Sequence, residues 1–356
     1  MIIPALLLLL AGPAGPARLE HAVLRAQPAA GGLAASYRAL ASRQQAPAWI
    51  GWAVPLAGNH HRCCYGSLEA LGESPCTGRC FLENEYRNVT IVHSDGGGDC
   101  LERGAAAGLV LLLRVEAGRT QRLRTFTTDC VVDAGNLPVF WLTDVVPAES
   151  VAFLEGFVND DSLERKKRKD DGEPALGAIA LHDDPSADAS IEKFVATGQP
   201  ARLRRQAAFW LGNSRGDRGY QVLKRLSQSE PDEDVRHHIT FALSQSKAPE
   251  AVGTMIAMAR NDASPRVRGQ ALFWLAQKAG RKALGAIGDA IRDDPETEVK
   301  TKAVFALTQL PKDEGIPELI RVARTNRNPL VRKKALFWLG QSKDPRALDF
   351  IEEVLK

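Results

Sequence analysis

Six cysteines, Cys63, Cys64, Cys76, Cys80, Cys100 and Cys130, fall within 68 residues of a 356-residue chain, and none follows Cys130. An even, clustered count reads as three disulfides formed in an oxidising compartment, with 15 pairings open. The adjacent Cys63 and Cys64 cannot easily bond to each other, so each is expected to reach a different partner. The competing chemistry is a metal site. His60, His61, Cys63 and Cys64 precede Cys76 and Cys80, whose spacing zinc accepts. An adjacent cysteine pair makes a poor second half for such a site, so disulfides are the expectation and no metal or other cofactor is assigned.

Other chemistry is excluded residue by residue. The run Gly96-Gly97-Gly98 is flanked by Asp95 and Asp99, which repel phosphate, and it lacks the P-loop lysine. No G-x-S-x-G elbow occurs, and His93 with Asp95 and Asp99 reads as a solvated loop. Asn88-Val89-Thr90 fits a glycosylation sequon, although its texture is that of a strand edge. No catalytic residue is therefore assigned. Forty-six basic against 43 acidic residues leave a formal +3, too little to make nucleic acid the main ligand.

The cysteine reading needs an exported chain, and the N-terminus agrees. An apolar run from Ile2 to Ala11 has the length of a signal-peptide core, and Ala17, with Gly15 two residues before it, offers a cleavage site. Ten residues cannot span a bilayer, and Pro13 stands where a lipoprotein would carry its cysteine. The expectation is a signal peptide over 1–17, release to the periplasm or exterior, and no membrane anchor after cleavage.

The C-terminal half is governed by a period of 32 residues. Phe209, Phe241, Phe273, Phe305 and Phe337 recur without a slip, as do Leu211, Leu243, Leu275, Leu307 and Leu339. A basic column follows the same step: Arg204, Arg236, Arg268, Lys300 and Arg332. So does an amide column, Asn213, Gln245, Gln277, Gln309 and Gln341. A degenerate earlier copy at Asp184-Pro185 brings the count to about six units over 174–356. Within a unit, Val331, Ala335, Trp338 and Leu339 form one helical stripe, and Leu348, Ile351, Val354 and Leu355 form another. Two short helices per unit, neither able to bury its apolar face alone, predict a stacked solenoid.

The phrase V-R-x-x-A-x-x-x-L-G, best seen at Val331 to Gly340, resembles the HEAT-like repeats of phycobilin-lyase relatives and of many bacterial scaffold proteins. The resemblance implies the fold of about half the chain and says little about function. Deoxyhypusine hydroxylases of this fold carry His-Glu pairs for two irons. None of the seven histidines here precedes Glu, which argues against that activity. Phycobilin lyases are cytosolic, which fits an export signal badly.

Six residues before most of the cations stand Glu230, Asp262, Asp294 and Asn326. Acid and base in phase predict an internal ladder bridging adjacent repeats. The amides are expected to bond unpaired carbonyls at helix ends and to chain from unit to unit. Trp210, Trp274 and Trp338 alternate with Ala242 and Ala306, which predicts interdigitated packing. The exposed candidates on the V-R helix are Arg205, His237, Gly269, Thr301 and Lys333, then Gln206, His238, Gln270, Lys302 and Lys334. These polar positions vary over a constant core and lean basic, as suits a protein partner on the inner face.

The remaining segments frame the array. Residues 18–45 are Ala-rich and read as one or two short helices broken at Pro28 and Gly31-Gly32. Residues 46–158 read as a cysteine-containing β domain, with strands at Trp49–Val54, Asn88–Val92, Leu109–Val115 and Arg122–Thr128. A hairpin turn is expected at Ala117-Gly118, and a short helix from Pro147 to Phe157. The charged run in 159–173 is a linker. The expected protein is thus an α+β two-part chain, a disulfide-bonded β domain before a HEAT-like solenoid, acting as a non-enzymatic scaffold. The alternative is an enzyme or enzyme accessory using His60, His61, His93 and His182 where the β domain meets the first repeats.

Overall fold

The computed structural model describes residues 18–58, 60, 80–83, 108–128, 130–158 and 174–355. The expected signal segment, the linker, the strand at Asn88–Val92, His61, His93, and Cys63, Cys64, Cys76 and Cys100 lie outside the described residues. Two compact units divide at Ile191/Glu192.

The first unit holds eight described strands: β1 (Arg18–Glu20), β2 (Val23–Pro28), β3 (Ala48–Pro55), β4 (Cys80–Phe81), β5 (Gly108–Glu116), β6 (Arg119–Thr127), β7 (Val131–Asp133) and β8 (Pro138–Thr143). They make a five-stranded sheet ordered β2-β8-β3-β5-β6 and a three-stranded sheet ordered β1-β7-β4. β3 pairs antiparallel with β5 and parallel with β8, so it lies mid-sheet with both faces covered, and its sequence AWIGWAVP is correspondingly apolar throughout. Gly51 is required there: a Cβ would meet Leu112 Cδ2 at 2.5 Å and Leu111 O at 2.9 Å. β5 and β6 are joined by Ala117 and Gly118 at φ 49° and 70°, a type I′ turn.

Strand alternation sorts the core. Trp49 and Ala53 face a cluster with Cys80, Leu82, Val110, Leu112, Phe126, Cys130, Val132 and Trp141. Trp52 on the opposite face meets Phe153 of helix α2 (Pro147–Glu155), whose ring also contacts Tyr37 of α1 (Leu33–Ala41), and α3 (Pro174–Ala180) packs on α2. Burial pushes the Tyr37 phenol far up, against its bond to Thr120 Oγ1.

The Ala-rich segment departs from the helical expectation. Only α1 is helical, and residues 23–28 are strand β2, parallel to β8 from Val23↔Pro138 to Pro28↔Thr143. All six β2 residues are exposed, so the ladder holds the strand rather than a buried face, and no apolar alternation marks it. The helix α3 that opens the expected solenoid falls within the first unit.

In the second unit the helices come in pairs. α4 (Pro185–Val195), which crosses the division, precedes α5 (Ala201–Ser214) and α6 (Gly216–Ser229), then α7 (Glu233–Gln245) and α8 (Ala251–Asn261). The remainder are α9 (Pro265–Ala279), α10 (Leu284–Asp293), α11 (Thr297–Leu307), α12 (Lys312–Thr325), α13 (Pro329–Gln341) and α14 (Pro345–Leu355). Caps set the starts: Asp232 accepts from Val235 N, Ser264 from Arg266 and Val267 N before Pro265, and Asn328 from Leu330 N before Pro329.

Odd-numbered helices α5 to α13 pack on one another far more closely than the even-numbered ones do, so they line the inner, shorter-radius row. Gly212 permits this, because a Cβ would lie 2.0 Å from Ala242 O on the next helix of the row. The buried columns are those expected: Val331, Ala335 and Leu339 are all within 1% of full burial, whereas Trp338 is half-buried. The last helix differs. Leu348, Val354 and Leu355 are exposed and Ala347 and Phe350 are buried instead. One period earlier, Ile316, Val322 and Ala323 in α12 are buried, so the α14 stripe has the chemistry of a contact between repeats.

Candidate protein-interaction surface

Each unit opens its V-R helix on one polar device. Arg236 Nε and Nη2 donate to Asp262 Oδ2 and Oδ1 at 2.9 and 3.3 Å, while Nη1 donates to Glu230 O and Pro231 O. Arg268 repeats this with Asp294 at 2.8 and 3.0 Å and with Asp262 O and Ala263 O. Arg204 reaches the buried Glu230 carboxylate through a single contact, Nη1 donating to Oε1, and its Nη2 lies 3.5 Å from Asp232 Oδ2. The acids are themselves locked by the turn: Glu230, Asp262, Asp294 and Asn326 each accept from the backbone N–H two residues on, at 2.9 Å. Burial opposes ionisation of Asp294, but Arg268 and the Glu296 N–H outweigh it and hold the carboxyl below its usual range.

The fourth rung is different in a way that fits. Its acid position is the neutral Asn326, and its cation is Lys300, which donates instead to Arg292 O at 2.9 Å. Arg332 keeps the carbonyl half of the device, on Asn326 O and Arg327 O.

The amide column is less regular. Gln277 Nε2 donates to Gln309 Oε1 at 3.2 Å across one repeat, but Gln245 and Gln309 donate to the neighbouring Ser244 and Thr308 hydroxyls. Around the end of α7 the carbonyls of Ser244 and Ser246 accept from Lys278 Nζ of the next repeat, at 3.0 and 2.6 Å. Gln341 and Asn213 are at the surface or half-buried, with Asn213 Oδ1 accepting from Ser214 Oγ.

The exposed side of the inner row is where the remaining candidates gather. Arg205, Gln206, His237, His238, Gln270, Thr301, Lys302 and Lys334 are half-buried there and Lys333 is exposed, while Gly269 is buried under Lys302. One turn further along each helix lies the phenylalanine column. Phe209 to Phe305 are half-buried and Phe337 is 51% exposed. Phe209 stacks on Phe241 with centroids 5.8 Å apart, and Phe273 on Phe305 at 5.7 Å. Trp274 meets Phe241 at 4.8 Å and Trp338 meets Phe305 at 4.9 Å, so these two half-buried tryptophans pack between the rings of successive repeats. Helix axes of a packed row are about 8–10 Å apart, so stacking at less than that means the rings converge toward the inner side. The unbroken 32-residue phenylalanine column was the available signal for this ridge; its two-residue offset from the buried leucines turns it out of the core.

The local field is positive. Burial first, then Arg205 and His237, push the His238 imidazole down to about 4. His237 is lowered by burial and by Arg266, with Gln270 opposing and Lys302 adding to the effect. Arg266 is matched by Asp234, and Lys302 by Glu298 at 2.7 Å. Lys334 Nζ lies 5.3 Å from the Phe337 centroid and 5.4 Å from that of Trp338.

Of the residues of the enzyme alternative, His61 and His93 lie outside the described residues. His182 is wholly buried: its Nδ1–H donates to Ala178 O at 2.8 Å, leaving Nε2 to accept from Ser150 Oγ at 2.8 Å, and Ser150 Oγ accepts from Trp52 Nε1 at 2.8 Å. Among the described residues no three His, Cys, Asp or Glu side chains gather to hold a metal ion. Among them too, no helix is long and apolar enough to cross a membrane.

Residues 189–276 and 284–356 match the family described as HEAT repeats. The C-terminal half of the chain is an array of these repeats. The complex of CpcE and CpcF of phycocyanin lyase from Nostoc sp. PCC7120 is similar at TM-score 0.33 and 23% identity, over 43% of this chain and 99% of that one. Human deoxyhypusine hydroxylase in complex with glycerol is similar at TM-score 0.25 and 17% identity, over 58% and 77%. None of the curated proteins matches the sequence.

Proposed function

We infer that the protein is an exported, non-enzymatic scaffold that holds a protein partner on the inner face of its HEAT array of about six units. The observation that carries this is the half-exposed face running unbroken over α5, α7, α9, α11 and α13, polar and basic over a repeated core. Side chains that vary over an invariant framework suit a partner of irregular shape better than a periodic polymer. The test is Lys333→Glu combined with Lys334→Glu, scored by retention of the protein that co-purifies from the native host. Loss of retention with an unchanged helical spectrum is expected. Unchanged retention moves recognition to the first unit.

Export is part of the same reading, and so is disulfide bonding of the first unit. It is supported by Cys80 and Cys130, which are buried in one cluster and carry bonded sulfurs. Thiol titration of the denatured, unreduced mature protein is expected to find close to none of the six cysteines reactive. Four or more thiols with bound zinc would replace this reading by the metal site.

A further inference from the structure

The inner face is ordered in columns about one helical turn apart. The 202-234-266-298 column alternates in sign, Arg202, Asp234, Arg266 and Glu298, and Arg266 is satisfied by Asp234 within it. The next two columns, beginning at Arg205 and Gln206, contain no acid: they hold Arg205, Lys302, Lys333, Lys334 and the two histidines. Beyond them runs the phenylalanine ridge, bridged from repeat to repeat by Trp274 and Trp338. The far edge carries the amides, each with both donors and acceptors. The face thus changes from polar and basic positions to aromatic rings to amides; its cations stand toward the two ends, Arg205 on α5 and Lys302, Lys333 and Lys334 on α11 and α13, with the histidines of α7 and with Gly269 and Gln270 of α9 between them.

We propose that the strip of the inner face between the basic positions and the phenylalanine ridge receives an extended, acidic segment of the partner protein, its carboxylates on the cations and its apolar side chains on the rings. This rests on the scaffold reading and adds the chemistry of what is bound. An extended chain throws alternate side chains to opposite sides, which is the separation these columns present. Four steps between five helices at about 8–10 Å each amount to roughly 32–40 Å, or about 10–12 extended residues. Charge selects the occupant. Arg205 is half-buried at one end of the face, and at the other Lys333 is exposed with Lys334 over the last rings. The amide edge matches a peptide's main chain, which a sulfated sugar lacks.

The probe is a fluorescently labelled twelve-residue peptide alternating glutamate and leucine, titrated into the full chain and followed by anisotropy. Saturable binding is expected, weakened at least about tenfold when lysine replaces glutamate, by Lys333→Glu with Lys334→Glu, and by Phe305→Ser with Phe337→Ser. Phe337→Ser alone, at a 51% exposed position, serves as the second variant should the pair unsettle the fold, and a several-fold loss is expected of it. Absence of saturable binding, equal binding of the lysine peptide, or equal binding of a sulfated oligosaccharide overturns the proposal. If the peptide fails while Lys333→Glu with Lys334→Glu still releases the native partner, the acidic-segment inference falls and the scaffold reading stands. If that double variant also retains the partner, both fall.

Discussion

The two units bury polar groups in opposite ways. In the first, Trp52, Ser150 and His182 form one knot, made once, from residues on β3, on α2 and just after α3. In the second, the guanidinium–carboxylate rung is made repeatedly, always between a residue and an acid 26 positions on. A unique knot ties distant segments, so its loss is felt by the whole unit. A rung ties neighbours, and a linear array distributes its loss over nearest-neighbour contacts. The repeated device therefore tolerates change at one step, as Lys300 with Asn326 shows, and the unique knot has no spare copy.

Ser150→Ala is the strongest test of that contrast. It removes one hydroxyl from both a buried indole N–H and a buried imidazole, each costing about 1–3 kcal/mol when unmet, so a loss of roughly 2–5 kcal/mol is expected. Chemical unfolding should show it in a transition of the first unit. A melt unchanged from wild type would mean the knot is not a shared lock.

Arg268→Ala should cost somewhat less, about 2–4 kcal/mol, because it strands the Asp294 carboxylate and two carbonyls inside the array. The expected signature is a separated, earlier transition of the repeats with the first unit unmoved. An effect below about 0.5 kcal/mol would place the cation among exposed ligand-type residues.

These energetics also explain which parts of the molecule could be read from its residues. Repetition made the array legible: columns at a fixed step exposed the buried face, and acid and base in phase exposed the rung. The first unit offered no such redundancy. β2 is held by a parallel ladder to β8 some 115 positions away in sequence, and its residues are all exposed, so no local period announces it. The knot joins Trp52 to Ser150 98 positions on, a closure that no pattern of types predicts. On the candidate site, the basic positions and the packing of tryptophans between neighbouring repeats were legible, but the ridge of stacked phenylalanines was not. A helical wheel places a ring on a face and cannot say which ring of the next helix it meets.

Acid separates the two faces of the same helices. His238 titrates at about 4 in the fold against 6.5 as its ordinary value. The unfolded chain thus binds the proton first, and stability is lost as pH falls from about 6.5 toward 4, then levels off. At about 1.4 kcal/mol per pH unit, and allowing for the exposed edge of the ring, the loss is on the order of 2 kcal/mol. The buried rung shifts in the same direction but from a lower start: Asp294 is held below the usual carboxylate range, so its share of stability is lost only under still stronger acid. His238→Gln should flatten the first slope and leave the second. A wild-type stability constant between pH 7 and 4.5 would contradict the assigned burial of the ring.

The smallest effect expected is at an ion pair that shares the rung's chemistry and lacks its burial. Arg225 Nη2 lies 3.1 Å from Glu192 Oε2, a distance close to those in the rung, but the two side chains are 63% and 48% exposed. Water already solvates both charges, and ordering two long side chains offsets most of the attraction. Arg225→Ala is therefore expected to change stability by less than about 0.5 kcal/mol, with what remains fading as salt is raised. Arg268 forms its pair at a side-chain exposure of 9%. The comparison isolates burial as the variable, since ion type and distance nearly match. If Arg225→Ala cost as much as Arg268→Ala, the stranded desolvated partner could not be the source of the rung's strength, and the contrast between knot, rung and surface pair would lose its physical basis.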